Sequence, residues 1–267
     1  MKIERTLSIM LFLCALAISV KAQSPTQNYV LSKDVLDVDG THAITTVTYY
    51  DGLGYPVETA TNGLGGTGKY AYTLLEHDAL GREKQSWLPG TQKDGCSFVV
   101  PSELSSSLIT FHKDRNPYSV NSYDALDRQV STLGAGESWH TAKKSIEQRY
   151  GSNEANSIKR YQVSGSGSLV ENGYYAANSL SMLEVTDEDG KTKQTFSDLF
   201  GNKVLERRDV DNDTYYVYDN IGHLRYVLSP SYQECSDLQK FGYEYRYDKY
   251  GRCVWKRLPG CEYQQMW

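Results

Sequence analysis

One short pattern recurs along the chain and constrains its fold more than any other feature. An aspartate stands three positions before a glycine, and a polar, basic or aromatic residue follows that glycine. An aspartate at the first turn position accepts hydrogen bonds from backbone N–H groups just ahead of it. A glycine at the fourth position adopts the left-handed conformation that closes a type I turn with a bulge. The pattern predicts six β-hairpins. Their turn pairs are Asp51 and Gly54, Asp78 and Gly81, Asp124 and Asp127, Asp198 and Gly201, Asp219 and Gly222, and Asp248 and Gly251.

Alternating residues beside the turns predict which side chains face each other across the strands. Such pairs contribute about 0.2–1 kcal/mol each. The predicted pairs of the last hairpin are Tyr247 with Cys253, Tyr245 with Trp255, and Glu244 with Lys256. The pairs predicted for the two preceding hairpins are Tyr218 with Leu224, Tyr216 with Tyr226, Val217 with Arg225, and Phe196 with Val204.

A second, two-residue turn type is predicted at the Asp-Gly pairs of residues 37–40 and 187–190. Residues 182–259 therefore indicate consecutive hairpins. One hairpin cannot bury its aromatic face alone, so neighbours must stack into a strip or partial β-solenoid.

The predicted fold class is all-β and antiparallel, with an N-terminal β-rich domain and few short helices. The helices are expected after Pro101 and over residues 236–241, and residues 141–148 are compatible with either a short helix or a strand. Residues 164–168 (SGSGS) predict a flexible loop, which favours a division into residues 23–175 and a hairpin strip over 176–267.

The first 22 residues indicate a signal peptide. Two basic residues precede an apolar run over residues 7–20, and small residues then mark a cleavage site between Ala22 and Gln23. The run is shorter than the ~20 residues that span a bilayer. We therefore expect export through the inner membrane, to the periplasm, the cell surface or the medium.

Charge and cysteine usage narrow the class of protein. The net charge of −5 argues against nucleic acid as a partner. Four cysteines follow the predicted cleavage site, namely Cys96, Cys235, Cys253 and Cys261. An exported chain can oxidise them in three connectivities, or they can remain free thiols. No CxxC motif is present, so a zinc site has no support.

The segments YDNIGHLRYVLSP, YDKYGRCVWKRLP and HDALGREKQSWLP resemble the YD repeat of RHS-repeat proteins. Upstream, YYDGLGYPVE, NPYSVNSYDALDRQ, GAGESWH and ENGYY resemble the uncharacterised domain that precedes these repeats in large bacterial envelope and secreted RHS proteins. The sequence departs from the pattern where Asp127 replaces the glycine and where Tyr55, Asn202 and His223 replace the arginine.

The resemblance implies a place in a hollow β-shell, which in that family often encloses a variable C-terminal toxin. The expected partners are then the rest of a longer RHS-like chain or a molecule at the cell surface. The self-cleaving core of the family is rich in Asp-Pro, and this sequence has no Asp-Pro pair. We therefore expect a truncated product or a short relative that holds the start of the strip.

Catalytic motifs are weak. Residues 136–140 (GESWH) nearly match the GxSxG nucleophile elbow, but that elbow needs an α/β sheet. Residues 209–214 (DVDNDT) could offer oxygen ligands to calcium, but the glutamate that an EF-hand loop requires is Asn220 here. We expect no enzyme activity, no cofactor and no metal.

The sequence thus predicts a non-catalytic scaffold. The alternative is a cell-surface carbohydrate-binding module, because sugars stack on exposed aromatic rings. The chain has 22 tyrosines against six phenylalanines, and its four tryptophans are Trp87, Trp139, Trp255 and Trp267.

Overall fold

The computed structural model describes residues 26–62, 69–91, 95–209 and 212–266. The predicted signal peptide, its cleavage site at Ala22 and Gln23, and Trp267 lie outside these ranges. The chain forms two compact units. Unit 1 extends to Ser122 and includes Thr132–Lys143, and unit 2 comprises Tyr123–Ser131 and the chain from Lys144 onward. The predicted boundary between residues 175 and 176 concerned the start of the regular repeats and stays a prediction.

Unit 1 is built on an antiparallel sheet. Its strands are β1 (Asn28–Val35), β2 (Ala43–Tyr50), β3 (Pro56–Thr61), β4 (Ala71–His77), β5 (Glu83–Trp87), β6 (Gly90–Thr91) and β7 (Tyr118–Tyr123). The first four pair in sequence order; β4 also pairs with β5 and β6, and β5 pairs with β7. The chain passes into unit 2 within β7, at Tyr123.

The core of unit 1 lies between this sheet and helix α1 (Pro101–His112). The helix starts with Pro101 at its first turn, as the sequence predicts, and it buries Leu104 and Leu108. Gly90 allows the close approach of the helix, because a Cβ there would lie 2.6 Å from Leu108 Cδ2. A short second helix is α2 (Glu137–Ala142).

Unit 2 is a longer antiparallel ladder. Its strands are β8 (Gln129–Leu133), β9 (Ser145–Ser152), β10 (Lys159–Val163), β11 (Leu169–Tyr174), β12 (Ser181–Thr186), β13 (Thr192–Ser197), β14 (Lys203–Arg208), β15 (Asp213–Tyr218), β16 (Leu224–Leu228), β17 (Gly242–Tyr247), β18 (Cys253–Arg257) and β19 (Gln264–Gln265). The chain passes from unit 2 into unit 1 within β8, at Thr132. Strands β12 to β19 pair in sequence order, and β9 joins beside β12.

The separate hairpin β10–β11 contributes Ile158 and Tyr161 to the core of unit 2. Strands β13 to β16 supply most of the rest, including Phe196, Leu205 and Tyr226. Every strand pairing in the described ranges is antiparallel, so the predicted all-β antiparallel fold class is confirmed.

The helical turn predicted within residues 236–241 is present as α4 (Leu238–Phe241), and a helix that was not predicted, α3 (Pro230–Cys235), precedes it. The helix considered for residues 141–148 was wrong over most of that range, because residues 145–152 form strand β9, the alternative for this segment, and α2 ends at Ala142. Residues 164–168 form the turn between β10 and β11, where the N–H of Ser164 donates to the carbonyl of Ser168 at 2.8 Å.

The predicted side-chain pairs hold only next to each turn. Tyr247 lies opposite Cys253 and Tyr218 opposite Leu224, but the ladder then shifts by one residue. The other predicted pairs were therefore wrong. The observed pairs are Tyr245 with Lys256, Glu244 with Arg257, Tyr216 with Val227, Val217 with Tyr226, and Phe196 with Leu205.

The cause is a β-bulge, which inserts one unpaired residue into the second strand. The same bulge occurs in five hairpins, always at the sixth residue after the turn aspartate. The inserted residues are Val57, Lys84, Val204, Arg225 and Val254.

Two buried glutamates show how the units differ electrostatically. Glu58 in unit 1 is 0% exposed, and its carboxyl oxygens accept only the N–H of Val99, at 3.1 and 3.3 Å. Burial raises the pKa of Glu58 to about 8. Burial also raises the pKa of Glu206 in unit 2, but hydrogen bonds from Lys203, Arg208 and Lys193 outweigh it and hold that pKa at about 2.

We expect the stability of unit 1 to fall as the pH rises from about 4.5 to about 8. The folded state keeps the Glu58 proton over this range while the unfolded state releases it, so the free energy of unfolding decreases. Glu58→Gln should remove most of this decrease. Urea-unfolding midpoints at several pH values measure it, with Glu103→Gln as an exposed control. An unchanged pH profile in Glu58→Gln would contradict the assignment.

Candidate functional site

The turn aspartates share one geometry. In each, Oδ1 accepts two backbone N–H groups, from the residues two and four positions ahead, at 2.8–3.0 Å. These two bonds satisfy donors that the tight turn leaves without a strand partner. The aspartates are Asp51, Asp78, Asp124, Asp187, Asp198, Asp219 and Asp248.

The fourth turn residue is left-handed in all seven. It is glycine at φ between +77° and +91° in six turns, and Asp127 at φ 61° in the seventh. The turn at Asp187 has this same form, because Gly190 N–H donates to the carbonyl of Asp187 at 3.0 Å. The separate two-residue turn predicted there was therefore wrong.

The fifth turn residue explains the arginine of the repeat. Arg252 donates from Nε and Nη2 to Asp248 Oδ2, both at 2.7 Å. Arg82 and Arg128 bind Asp78 and Asp124 in the same way. One carboxylate thus binds the backbone with one oxygen and the arginine with the other.

These bonds favour the charged form of the carboxylate in the turns at Asp78 and Asp248. The hydrogen bond from the Arg82 side chain holds the pKa of Asp78 below its usual value. The backbone N–H of Arg252 does the same for the pKa of Asp248. Their stabilising contribution is present above the unfolded pKa and is lost as the pH falls through the folded one.

Where the fifth residue is aromatic, it packs on the next turn. The ring of Tyr55 stacks on His77 with centroids 5.4 Å apart, and a Cβ at Gly81 would lie 2.2 Å from Tyr55 Cζ. His223 stacks on Tyr247 at 4.7 Å, and a Cβ at Gly251 would lie 3.0 Å from His223 Nε2. The glycine of the later turn therefore leaves room for the ring of the earlier turn.

Asn202 is too short for this contact. Its Nδ2 donates to Asp198 Oδ2 at 3.0 Å, and no atom lies within 4 Å of a Cβ built at Gly222 in the next turn. A cavity of about 1010 Å³ lies here in unit 2. We call it the tyrosine cavity. Its walls include Arg160, Tyr161, Tyr175, Asp198, Asn202, Tyr216, Tyr218, Asp219 and Asn220.

The tyrosine cavity combines rings with hydrogen-bonding groups. Burial raises the pKa of Tyr175 and of Tyr218, so both hydroxyls stay protonated at neutral pH. Carboxylates and amides of the two turns stand beside them. Such a mixture suits a small polar ligand with one apolar face. The sequence analysis noted that Asn202 departs from the repeat but did not anticipate the gap it leaves.

Other candidate residues are placed apart from this cavity. Ser138 lies on α2, and the His140 ring nitrogen Nε2 is 3.0 Å from the carbonyl oxygen of Tyr118. Trp87 is 6% exposed, whereas Trp139 and Trp255 are 39% and 38% exposed.

The four cysteines Cys96, Cys235, Cys253 and Cys261 are free thiols, and Cys96 is buried. Asp213 of the acidic segment pairs with Arg207 through two contacts of 2.7 Å, and Asp211 lies outside the described residues. Within those residues, no three His, Cys, Asp or Glu side chains meet in a group that could hold a metal ion. No helix there is both long and apolar enough to cross a membrane.

A family model described as a domain of unknown function (DUF6443) matches residues 19–152, which is half of the chain. None of the curated proteins compared with this chain matches it.

Solved structures show a distant likeness. The chain is 16% identical to one in the structure of TcdB2-TccC3-Cdc42, with a TM-score of 0.45, and covers 92% of its own length and 12% of that chain. For TcdB2-TccC3 the identity is 15%, the TM-score 0.43 and the coverage 85% and 11%. The Photorhabdus luminescens Tc holotoxin pore with the TccC3-D651A mutation gives 13%, 0.43, and again 85% and 11%. This chain therefore spans a small part of the solved chains it matches.

The two glycines of the first paired turns make a matched test of the stacking. Gly54→Ala should cost about 1 kcal/mol, since only its positive φ of 87° is strained. Gly81→Ala should cost more, because the new Cβ displaces Tyr55 from a ring contact worth about 0.5–1.5 kcal/mol. Urea unfolding measures both.

A Tyr55→Ala background supplies the control. With the ring gone, the two glycine substitutions should cost nearly the same. Equal costs in the natural background would show that Tyr55 does not press on Gly81 in solution.

Proposed function

This chain belongs to the family described as a domain of unknown function (DUF6443), and on that premise we propose that it is a non-catalytic structural part of an exported, RHS-like YD-repeat protein. The repeated turns carry this role, because they hold neighbouring hairpins side by side and form a surface on which additional hairpins can pack. Export rests on the apolar segment before Gln23.

The observation that carries the proposal is the third residue of the turns. In six turns it is apolar or aromatic, and it is 68–89% exposed. Large apolar side chains left in water forgo roughly 25 cal/mol per Å² of burial, and clustered ones mark interaction surfaces. These tip residues are Leu53, Leu80, Leu126, Phe200, Ile221 and Tyr250.

Three of the tips belong to hairpins of one continuous ladder. Phe200, Ile221 and Tyr250 occupy the turns β13–β14, β15–β16 and β17–β18. In an antiparallel ladder, the turns of every second strand connection lie at the same end of the strands. The three side chains thus form one row, which further YD hairpins of a longer chain would cover.

A non-catalytic role has its own support. Ser138 and His140 lie two positions apart on a six-residue helix, and a helix does not bring such positions onto one face. His140 is already engaged with a backbone carbonyl. A nucleophile and its general base need to be within hydrogen-bond reach of each other.

The test is the natural gene product in the cells that make it. We expect the mature protein to begin at Gln23 and to occur in the exported fraction. N-terminal sequencing measures the first and cell fractionation the second. A cytoplasmic chain with Met1 retained would overturn the proposal.

The tip residues can be tested separately. Changing Phe200, Ile221 and Tyr250 together to asparagine should leave the unfolding midpoint of this chain unchanged, since all three are exposed. The same changes in the longer protein should make it more sensitive to protease. As a control, changing the polar tip Asp189 to asparagine should alter neither property.

A second candidate function is carbohydrate binding, which the tyrosine cavity favours. Sugars stack an apolar face on tyrosine rings while carboxylates and amides bind their hydroxyls, and this cavity offers both around Tyr216 and Asn202. Its volume is that of a typical small-molecule site.

Asn202→Tyr tests this candidate. The new ring should lie over Gly222 as Tyr55 lies over Gly81, closing the cavity without unfolding unit 2. A sugar identified on a neutral glycan array should then lose at least tenfold in affinity by calorimetry. Arg252→Tyr is the matched control at the same position of another turn. No saturable binding by the natural chain would exclude the candidate.

A further inference from the structure

A second cavity in unit 2, of about 600 Å³, is lined by an unusual concentration of arginine. We call it the arginine cavity. Its charged residues are Arg225, Arg246, Arg257 and Glu244, and the turn of residues 166–168 lies on its wall. Three guanidinium groups face one carboxylate, so the residues that line the cavity carry a net charge of about +2 near neutral pH.

Glu244 contacts two of the three arginines. Its side chain is 7% exposed, accepts hydrogen bonds from Arg246 Nε at 3.1 Å and from the Tyr263 hydroxyl at 2.5 Å, and forms an ion pair with Arg257 Nη2 at 3.2 Å. Arg246 is held again by the same hydroxyl, because its Nη2 lies 3.1 Å from it. The carboxylate therefore positions two guanidinium groups but neutralises only one charge.

Arg257 has donor capacity that nothing in the described residues uses. Its side chain is 12% exposed, and its Nε is buried with no hydrogen-bond partner. Leaving a buried charged donor unsatisfied costs more than an ordinary lost hydrogen bond. The Arg257 guanidinium therefore lines the cavity as a charged donor whose ionic partner is Glu244.

Arg225 brings the third charge from strand β16. Its Nε donates to the carbonyl of Tyr245 at 2.9 Å, and its Nη1 is 3.8 Å from Asp219 Oδ2, a long ion pair. A Cβ built at Gly167 would lie 3.3 Å from Arg225 Nη2. The glycine thus lets the turn approach this guanidinium.

The turn itself is fixed in place. The Tyr226 hydroxyl donates to the carbonyl of Gly167 at 2.6 Å, which ties the turn to the ladder. Ser166 and Ser168, whose hydroxyl oxygens are 3.2 Å apart, add hydroxyl donors to the cavity wall. Guanidinium N–H groups and serine hydroxyls can together donate hydrogen bonds to the oxygens of a phosphate or carboxylate group.

We propose that the arginine cavity binds an anionic group of a small ligand, either a phosphate monoester or a sugar carboxylate. The anion accepts from Arg257 and Arg225 on one side and from the serine hydroxyls on the other. Glu244 acts as a positioning residue that orients two arginines and lowers the positive charge of the lining residues from about +3 to about +2. This inference does not depend on the scaffold role, and it concerns a different cavity from the one considered for neutral sugars.

Isothermal titration calorimetry of the whole chain tests it, with inorganic phosphate, D-glucuronate and D-glucose as probes. We expect saturable binding of phosphate or glucuronate that excess chloride does not abolish, and no heat from glucose. Binding of phosphate alone identifies a phosphate ester, and binding of glucuronate alone identifies a sugar acid. Absence of saturable binding by both anions overturns the proposal.

Variants locate the binding. Arg257→Gln and Arg225→Gln should each weaken it at least tenfold, while Arg149→Gln, which removes an exposed arginine of the same unit, should leave it unchanged. Circular dichroism checks the fold, and Arg225→Gln decides the matter if Arg257→Gln unfolds. Glu244→Gln should tighten binding severalfold, a gain that a purely structural ion pair would not produce. Equal binding by all variants would show nonspecific association.

Discussion

The double hydrogen bond to one carboxylate oxygen is the interaction on which the rest of this structure depends. A reversal of the chain leaves two N–H groups pointing inward, and aspartate is the side chain short enough to accept both. Because the carboxylate performs this task alone, the second and third turn residues are free to vary. Beyond the turn, the residue before the aspartate lies opposite the fifth residue after it.

The turns differ in the contact that their fifth residue makes, either with the second carboxylate oxygen of the same turn or with the next turn. Arginine at the fifth position closes the turn on itself, as in the turn at Asp248. An aromatic residue there reaches the next turn, as Tyr55 and His223 do. Asparagine does neither beyond its own turn and leaves a cavity. One position thus decides whether neighbouring hairpins are independent, coupled or separated by a space for a ligand.

The sequence was sufficient to predict the local structure, namely the turns and the strands beside them. The recurring aspartate and glycine located the turns, and the strand class followed from them. Side-chain pairing failed beyond the first pair because no common residue type marks the bulge, which falls at Val204, Arg225 and Val254. The cavities could not be predicted because Asn202 and Arg257 line them together with residues that are distant in the sequence. Glu58 illustrates the same limit, since nothing beside it in sequence shows that it is buried without a cation.

The constant position of the bulge has a geometric consequence for unit 2. A bulge increases the right-handed twist of the strands that contain it. In unit 2 the bulge recurs at the same position in the three hairpins β13–β14, β15–β16 and β17–β18, although not in β12–β13. Each further hairpin with this bulge would add twist of the same sense, so the curvature of such a ladder would grow with the number of bulged hairpins.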